Sequence, residues 1–306
     1  MLKYSLKRLI TAIPTLFILM TMAFFMMRAA PGGPFDTEKT LPPEIQANLD
    51  KKYHLDEPLI QQYGRYLLDL LQGDFGPSFQ YKDYTVNELI ATGFPVSLKL
   101  GGTAVLLAFF IGSGIGIMAA RMQNSPTDYT LMAGAMTGIS IPNFVLAPLL
   151  ILVFAVYLQW LPAGGWNDGA IKNTILPIIG LALPQIAYIS RLMRGSMIEV
   201  LRGNAIRTAR AKGLPEHIVI LRHALKPALL PVISFLGPAT AAILTGSVVI
   251  EQIFGIPGLG RYFVQGALNR DYTLVMGVVV FYGALIIMFN FIVDLLYAAL
   301  DPRIRY

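Results

Sequence analysis

The chain is far more apolar than a soluble protein. Of its 306 residues, 55% are hydrophobic and 14% are charged, whereas about a quarter of the residues in an ordinary globular domain are charged. This composition excludes a soluble enzyme, a disordered chain and a fibrous protein, and it predicts an integral membrane protein. The absence of cysteine excludes disulfides, thiol catalysis and cysteine-bound metals. The net charge of +6 leaves a nucleic-acid partner open until the charges are located.

Six apolar segments are candidates for membrane spans. The first, residues 9–27, contains 19 residues and no charge, and it would extend about 28 Å as a helix. Its length and the lack of a small-residue cleavage site favour an uncleaved anchor over a signal peptide. The other five contain glycine and proline, which packed membrane helices tolerate; they lie near residues 100–120, 130–158, 174–190, 228–250 and 274–299. We therefore predict an all-α integral membrane protein with six transmembrane helices, in which Gly112 and Gly116 form a small-xxx-small packing pair.

The basic side chains lie mostly on one side of this arrangement. Fourteen Lys and Arg residues lie in the termini and alternate connections, at residues 1–8, 121–128, 191–226 and 301–306. The short connections on the other side contain three, Lys172, Arg261 and Arg270. Because basic loops remain in the cytoplasm, we predict that both termini are cytoplasmic. The positive charge is then a topology signal beside membrane lipid, and no nucleic-acid partner is expected.

The long segment of residues 31–99 differs from the other connections. It contains ten of the eighteen acidic residues and six basic ones, and long segments cross the membrane regardless of charge. Pro43-Glu44 and Pro58 suit the first turns of helices, and Thr85 and Glu88 have the spacing of a capping box. We predict two or three short helices outside the membrane, with a mostly irregular loop as the alternative.

Side chains that could support catalysis are scarce. The histidines His54, His217 and His223 lie outside the predicted spans, and neither an HExxH metal motif nor a GxxxxGK[ST] phosphate loop is present. The glycine-rich residues 255–260 follow no predicted strand and are interpreted as a kinked loop at the membrane face. Asp294 is the only acidic residue inside a span, where it has either a packing or interfacial role or a role in proton relay. We predict no enzymatic activity, no catalytic residue and no metal site.

Residues 191–226 are too long and too regular for a simple connector. Met197, Val200, Leu201 and Ala205 have helical spacing, and Gly213-Leu-Pro215 is a strong helix stop. These features predict short amphipathic helices across the cytoplasmic face. Two functions remain open, a basic helix resting on anionic lipid or a helix that docks into a groove of a partner protein.

The same segment contains a motif that resembles a known family. RTARAKG at residues 207–213, followed by HALKPALLP at 223–231, resembles the coupling-loop (EAA) motif of permease subunits in binding-protein-dependent ABC importers of the peptide and nickel group. Arg207 and Thr208 occupy the opening positions of the motif, and Ala209 and Gly213 are retained. The resemblance therefore implies that Arg207, Thr208, Ala209 and Gly213 contact an ATPase subunit.

Further stretches extend the resemblance over most of the chain. They are YHLDEPLIQQYGRYLLDLLQGDFGPSF at 53–79, PVSLKL at 95–100, IPNFVLAPLL at 141–150, RGSMIEVL at 194–201, EQIFGIPGLGRYFVQGALNRDY at 251–272 and the ending DPRIRY. The long first outer segment is similar to the oligopeptide branch of the family. Dipeptide or nickel permeases of the same family are the alternative, and a secondary transporter, which would need internal repeats and more intramembrane charge, is less well supported.

The resemblance implies a fold, a location and a set of partners. The expected fold is that of a type I ABC importer permease in a bacterial inner membrane. The divisions are an N-terminal helix at 1–30, a periplasmic helical insertion at 31–94, a transmembrane core at 95–298 and a cytoplasmic C-terminus at 299–306. The implied partners are a sister permease of the C type, two ABC ATPase subunits, a periplasmic oligopeptide-binding protein and the peptide itself. No cofactor is expected in this chain, because ATP and magnesium would be bound by the ATPase subunits.

The outer side is expected to receive the loaded binding protein. Residues 31–99 and 251–272 would form the docking surface, and the candidate gate or docking residues are Glu251, Pro257, Gly258, Gly260, Arg270 and Asp271. Within this set, Glu251, Arg270 and Asp271 could form an ion pair. Ordinary solvation of a loop is the alternative for these three charges.

Overall fold

A computed structural model describes residues 2–29, 33–35 and 42–300 of the chain. Every regular element in these residues is a helix, and the last six residues of the predicted C-terminal segment lie outside them. The helices are α1 (Leu2–Ala29), α2 (Pro43–Lys52), α3 (Leu59–Leu71), α4 (Val86–Arg121), α5 (Pro126–Ser140), α6 (Asn143–Leu150), α7 (Ile171–Leu201), α8 (Asn204–Ala211), α9 (Glu216–Ile218), α10 (Leu225–Gly246), α11 (Val248–Phe254), α12 (Leu259–Leu268) and α13 (Tyr272–Leu300). Two π-helical turns, Ile151–Tyr157 and Val219–Ala224, continue α6 and α9, and residues Asn167–Gly169 form a short 3₁₀ turn.

The predicted membrane spans are present as five long apolar helices and one bent pair. The five are Ile10–Ala29, Val86–Arg121, Ile171–Leu201, Glu216–Thr245 and Tyr272–Leu296. The segment predicted as one span at 130–158 is two helical pieces, Pro126–Ser140 and Asn143–Tyr157, which meet at 105°. Ile141 has an extended backbone because it precedes Pro142, and this ends α5. The prediction of six spans is therefore confirmed with this broken span counted as one.

The segment before α4 contains the two short helices α2 and α3. Pro43 is the first residue of α2, and Pro58 directly precedes α3. The capping box is confirmed, since the Glu88 amide donates to Thr85 Oγ1 at 3.3 Å and the Thr85 amide donates to Glu88 Oε2 at 2.8 Å. Helix α4 begins there, much earlier than the predicted span. The proposed division between residues 94 and 95 therefore lies inside a continuous helix.

The centre of the fold is the parallel contact between α4 and α7. A Cβ atom at Gly112 would lie 2.9 Å from Ile189 Cβ, and one at Gly116 would lie 2.6 Å from Met193 Cβ. The predicted small-residue pair is therefore the surface on which α7 rests. Helix α5 also meets α7 through a glycine, since a Cβ at Gly138 would lie 2.5 Å from the Leu183 carbonyl oxygen.

This contact makes a prediction about two neighbouring glycines. Gly116→Ala should reduce the free energy of unfolding by about 1–3 kcal/mol, because the methyl group must displace α7 backbone or Met193. Gly114→Ala is the matched control, since no atom lies within 4 Å of its added Cβ, and it should be neutral or stabilising by up to about 1 kcal/mol. The free energy of unfolding of both variants is measured by SDS titration in detergent micelles. Equal stability of the two would contradict the role given to Gly116.

Candidate functional site

The two predicted functional regions lie at opposite ends of the α4–α7 pair. At the first turns of α4, Gly93 lies against Leu259 and Tyr262 of α12. Beyond the other end of α4, Gln123 accepts a hydrogen bond of 3.1 Å from Arg202 Nη2, just before α8. We call these regions the α12 end and the α8 end. The helix pair connects them directly.

At the α8 end, the docking helix packs on the body of the protein through its apolar face. Ile206 and Ala209 are buried, in the same cluster as Val219 and Ile220 of the π-helical turn. Met197, predicted to lie in a separate short helix, is fully buried within α7, which continues to Leu201. Residues 191–201 are therefore part of a span, because their apolar side chains pack in the core.

Three of the four coupling candidates lie on α8 and the fourth, Gly213, follows it. Arg207 and Thr208 are exposed, whereas the Ala209 side chain points into the protein. Gly213 lies past the helix end with a φ of +74°, a left-handed conformation that glycine adopts without strain. The predicted stop at residues 213–215 is therefore confirmed. Ala209 packs α8 against the body of the protein, and the exposed face of α8 carries Arg207 and Thr208.

An ion pair braces the turn that follows α8. Arg210 Nη2 donates to Glu216 Oε1 at 2.6 Å, and Arg210 Nε donates to Glu216 Oε2 at 3.1 Å. This carboxylate raises the pKa of Arg210 above its usual value. Because both side chains are about half exposed, the pair contributes little to global stability. Its two-point geometry instead orients α8 relative to the start of the next span.

A second ion pair at the α8 end was not predicted from the sequence. Arg194 of α7 donates to both oxygens of Asp128 at 2.6 and 2.7 Å, and the Asp128 side chain is 1% exposed. The Asn124 amide also donates to Asp128, at 2.9 Å. Helices α5 and α7 are therefore joined at the first turn of α5 and about two turns before the end of α7. The two residues are 66 positions apart, so no local pattern in the sequence could have revealed the pair.

At the α12 end, Glu251 is a fully buried hydrogen-bond acceptor. Ser97 Oγ of α4 and Ser247 Oγ donate to its Oε1 at 2.6 and 2.7 Å, and the Arg261 amide donates to Oε2 at 3.2 Å. Ser97 Oγ in turn accepts from the Leu259 amide at 2.9 Å. The carboxylate therefore joins α4, α11 and α12 at one point.

The glycine-rich connection folds closely over this carboxylate. A Cβ atom at Gly258 would overlap the Glu251 carboxylate, and one at Gly260 would lie 2.7 Å from Val248 Cα. Pro257 lies in the same connection, between α11 and α12. The predicted kinked loop is present at residues 255–258, and Gly258 and Gly260 allow close approach of the backbone to Glu251.

Asp271 anchors the outer segment to the start of α13. Its carboxylate is fully buried and accepts from Ser78 Oγ at 2.5 Å, from the Phe79 and Gln80 amides at 3.2 Å and from the Leu274 amide at 3.1 Å. Arg270 is exposed with a φ of +57°. Among the described residues, neither Asp271 nor Glu251 has a basic side chain within 4 Å. The predicted ion pair is therefore not observed there, and both acids hold separate hydrogen-bond networks.

Two further expectations concern Asp294 and metal ions. Asp294 is partly buried and lines a 410 Å³ cavity between α1 and α13, together with Thr11 and Asn290. Within the described residues, no three His, Asp or Glu side chains are grouped to hold a metal ion. The candidate functional surfaces are therefore the α8 end and the α12 end, at opposite ends of the helical bundle.

Comparison with known protein families identifies the family to which this chain belongs. The family described as "Binding-protein-dependent transport system inner membrane component" matches residues 112–306, and its N-terminal companion family matches residues 1–101. The chain belongs to this family of transport-system membrane components. The residues matched by the first family include the RTARAKG motif, the bent span at 126–157 and helix α8. The membrane component is therefore a helical transport subunit of such a system.

Curated relatives of the membrane component match it along its whole length. The oligopeptide transport system permease protein OppB of Salmonella typhimurium (strain LT2) is 62% identical over 306 residues, with all of both chains covered. The protein of the same name from Escherichia coli (strain K12) is 61% identical with the same coverage. The dipeptide transport system permease protein DppB of Bacillus subtilis (strain 168) is 47% identical, with 100% of this chain and 98% of the relative covered.

Solved structures support the fold. The membrane component is similar to a chain of the MetNI methionine ABC transporter in an inward-facing conformation, with a TM-score of 0.60 and 19% identity over 70% of this chain and 96% of the other. A chain of an amino acid ABC transporter gives a TM-score of 0.54 and 18% identity, covering 70% and 94%. These similarities confirm the predicted ABC importer permease fold.

The Asp271 network makes a prediction about the outer segment. Asp271→Asn replaces one acceptor oxygen with an N–H donor that faces other donors. The free energy of unfolding should therefore fall by about 1–3 kcal/mol, and residues 78–80 should be released from α13. Limited proteolysis within residues 74–85 and the thermal midpoint measure the effect. Asp83→Asn is the matched control, since Asp83 is exposed and Asn tolerates its φ of +64°. Equal protease resistance of the two variants would refute the anchoring role.

Proposed function

We propose that this chain is a membrane-spanning permease subunit of an ATP-driven importer that carries oligopeptides across a bacterial inner membrane. The observation that supports this proposal best is the full-length similarity to oligopeptide permeases of two bacteria. The chain would form the pore with a sister permease of the C type. A periplasmic binding protein would deliver the peptide, and two ATPase subunits would bind ATP and magnesium.

The geometry of α8 supports docking to a protein over resting on lipid. The apolar side chains Ile206 and Ala209 are used to hold α8 on the body of the chain. An interfacial helix needs an apolar face free to enter the membrane, and α8 presents exposed Arg207, Thr208 and Arg210 instead. We assign this exposed face and the Gly213 turn to contact with an ATPase subunit.

Movement of an ATPase subunit would then be transmitted from α8 to the membrane spans through directly connected helices. Helix α8 is two residues from the end of α7, and α7 is fixed to α5 by Arg194 and Asp128. The glycine contacts fix α7 to α4. A push on α8 would therefore move α4, α5 and α7 as one body.

On the proposed periplasmic side, the α12 end would receive the loaded binding protein. Glu251 would hold Pro257, Gly258 and Gly260 in position at the mouth of the pore, and Asp271 would hold the acidic outer segment beside it. Arg270 is exposed and directly precedes Asp271, and it would contact the binding protein directly. In this orientation both termini are cytoplasmic, as the distribution of basic residues indicates.

A dipeptide permease is the second candidate. The Bacillus subtilis relative with that name is 47% identical along its length, so the fold and family do not separate the two substrates. Uptake measured with peptides of two to six residues, in membranes containing the whole transporter, decides between them. Transport confined to dipeptides would overturn the oligopeptide assignment.

The Gly213 turn provides a test of coupling. Gly213→Val should abolish peptide uptake while membrane insertion remains normal, because a β-branched residue is strained by about 1–2 kcal/mol in a left-handed conformation. Gly213→Asn should retain most uptake, since Asn tolerates that conformation. No atom lies within 4 Å of an added Cβ, so the two variants differ mainly in backbone strain. Normal uptake by the Val variant would contradict the coupling role.

The assembly itself can be tested by purification from native membranes. We expect the chain to elute with a second permease and two ATPase subunits, and ATP hydrolysis to rise when a loaded peptide-binding protein is added. An alanine variant at Arg207 should retain the sister permease and lose much of the ATPase subunits. Peptide transport by the isolated chain in vesicles would contradict the proposal and support a secondary transporter.

A further inference from the structure

Helix α3 lies beside the membrane-spanning part of α1. Tyr63 of α3 and Thr21 of α1 share a hydrogen bond of 2.6 Å between their hydroxyl groups, and the Phe24 ring lies 5.3 Å from the Tyr63 ring. Thr21 is eight residues before the end of α1 at Ala29, which corresponds to a depth of about 12 Å along the helix. Helix α3 is therefore at the level of the outer part of the span.

Several large apolar side chains of α3 are uncovered in the described structure. Leu59, Ile60, Leu68 and Leu71 are exposed, with Ile60 and Leu71 at 71% and 85%. Side chains of this kind at this depth meet acyl chains and head groups rather than water. Helix α3 therefore has the exposed apolar side chains that an interfacial helix needs.

A cavity of 370 Å³ lies behind α3, between α1 and the start of α13. Its floor includes the buried residues Phe24 and Met276, which are about 7 Å and 6 Å along their helices from the ends of the two spans. Its walls contain the basic side chains Arg28, Lys52 and Arg65 and the acidic side chains Asp69 and Asp74. The cavity therefore crosses the membrane boundary and contains both signs of charge.

Two donors at this cavity are buried without a hydrogen-bond partner among the described residues. They are Nε of Arg28 and the hydroxyl group of Tyr66. The Arg28 guanidinium is held near the Phe24 and Tyr272 rings, at 5.5 and 5.8 Å from their centroids. Burial of such donors is unfavourable unless an acceptor is supplied. A ligand with strongly accepting oxygen atoms would satisfy both.

We propose that this cavity binds the head group of a zwitterionic phospholipid that carries a primary ammonium group. The phosphate oxygens would accept hydrogen bonds from Arg28 and Tyr66, and the ammonium would donate to Asp69 or Asp74. The acyl chains would run along the exposed faces of α1 and α3, where Phe25 and Met26 already face outward. The membrane depth of the cavity favours a lipid over a soluble phosphate ester.

Native mass spectrometry of the full-length chain in its purified assembly tests this site. Retention of added phosphatidylethanolamine is measured as detergent is increased. Arg28→Gln and Tyr66→Phe should each reduce retention about tenfold, since each removes a hydrogen bond to a charged group. Lys51→Gln and Tyr84→Phe are the matched controls, because both residues are exposed and outside the cavity lining, and they should retain lipid as the unchanged chain does.

Two competing ligands and one conservative variant complete the test. Arg28→Lys should recover part of the retention, which separates a lost charge from a folding defect. Phosphatidylcholine, whose ammonium has no N–H donor, should be retained less well than phosphatidylethanolamine. Equal retention in Arg28→Gln and the unchanged chain, or displacement of the lipid by an equal concentration of soluble glycerophosphoethanolamine, would overturn the proposal.

Discussion

The close approach of α4 to α7 is the contact on which the rest of the structure depends. Gly112 and Gly116 remove the side chains that would separate the two helices, so that Ile189 and Met193 rest on the α4 backbone. In a membrane, where lipid is as apolar as the helices, such contact supplies packing that the hydrophobic effect cannot. Both functional ends are attached to this pair, since Ser97 of α4 contacts Glu251 and Arg194 of α7 contacts Asp128.

Much of the fold follows from local sequence. Runs of apolar residues predicted the spans, the capping box at Thr85 and Glu88 predicted the start of a helix, and Gly213 with Pro215 predicted the end of another. The break at Ile141 was missed because apolar composition continues through it, although Pro142 provided a signal that favours an extended residue before it. The inward direction of Ala209 was missed because its packing partners in the π-helical turn are not visible as a pattern.

The candidate site was less predictable than the fold, for reasons of distance along the chain. The resemblance to the family located α8, Glu251 and Asp271, but it did not indicate what the two acids contact. Ser97 and Glu251 are separated by 154 positions, and Ser78 and Asp271 by 193. A charged residue in a loop is usually solvated, so burial of these acids depends on hydroxyl and amide donors that only the folded chain brings together.

The two ends of the bundle are fastened by different chemistry. At the α8 end, a bidentate ion pair and buried aliphatic side chains join α5, α7 and α8. Separation there would leave a charge unpaired in an apolar environment, which is costly. At the α12 end, Glu251 and Asp271 accept hydrogen bonds from neutral hydroxyl and amide donors. Water can replace such donors as the loop moves, because a carboxylate released from them is hydrated rather than abandoned.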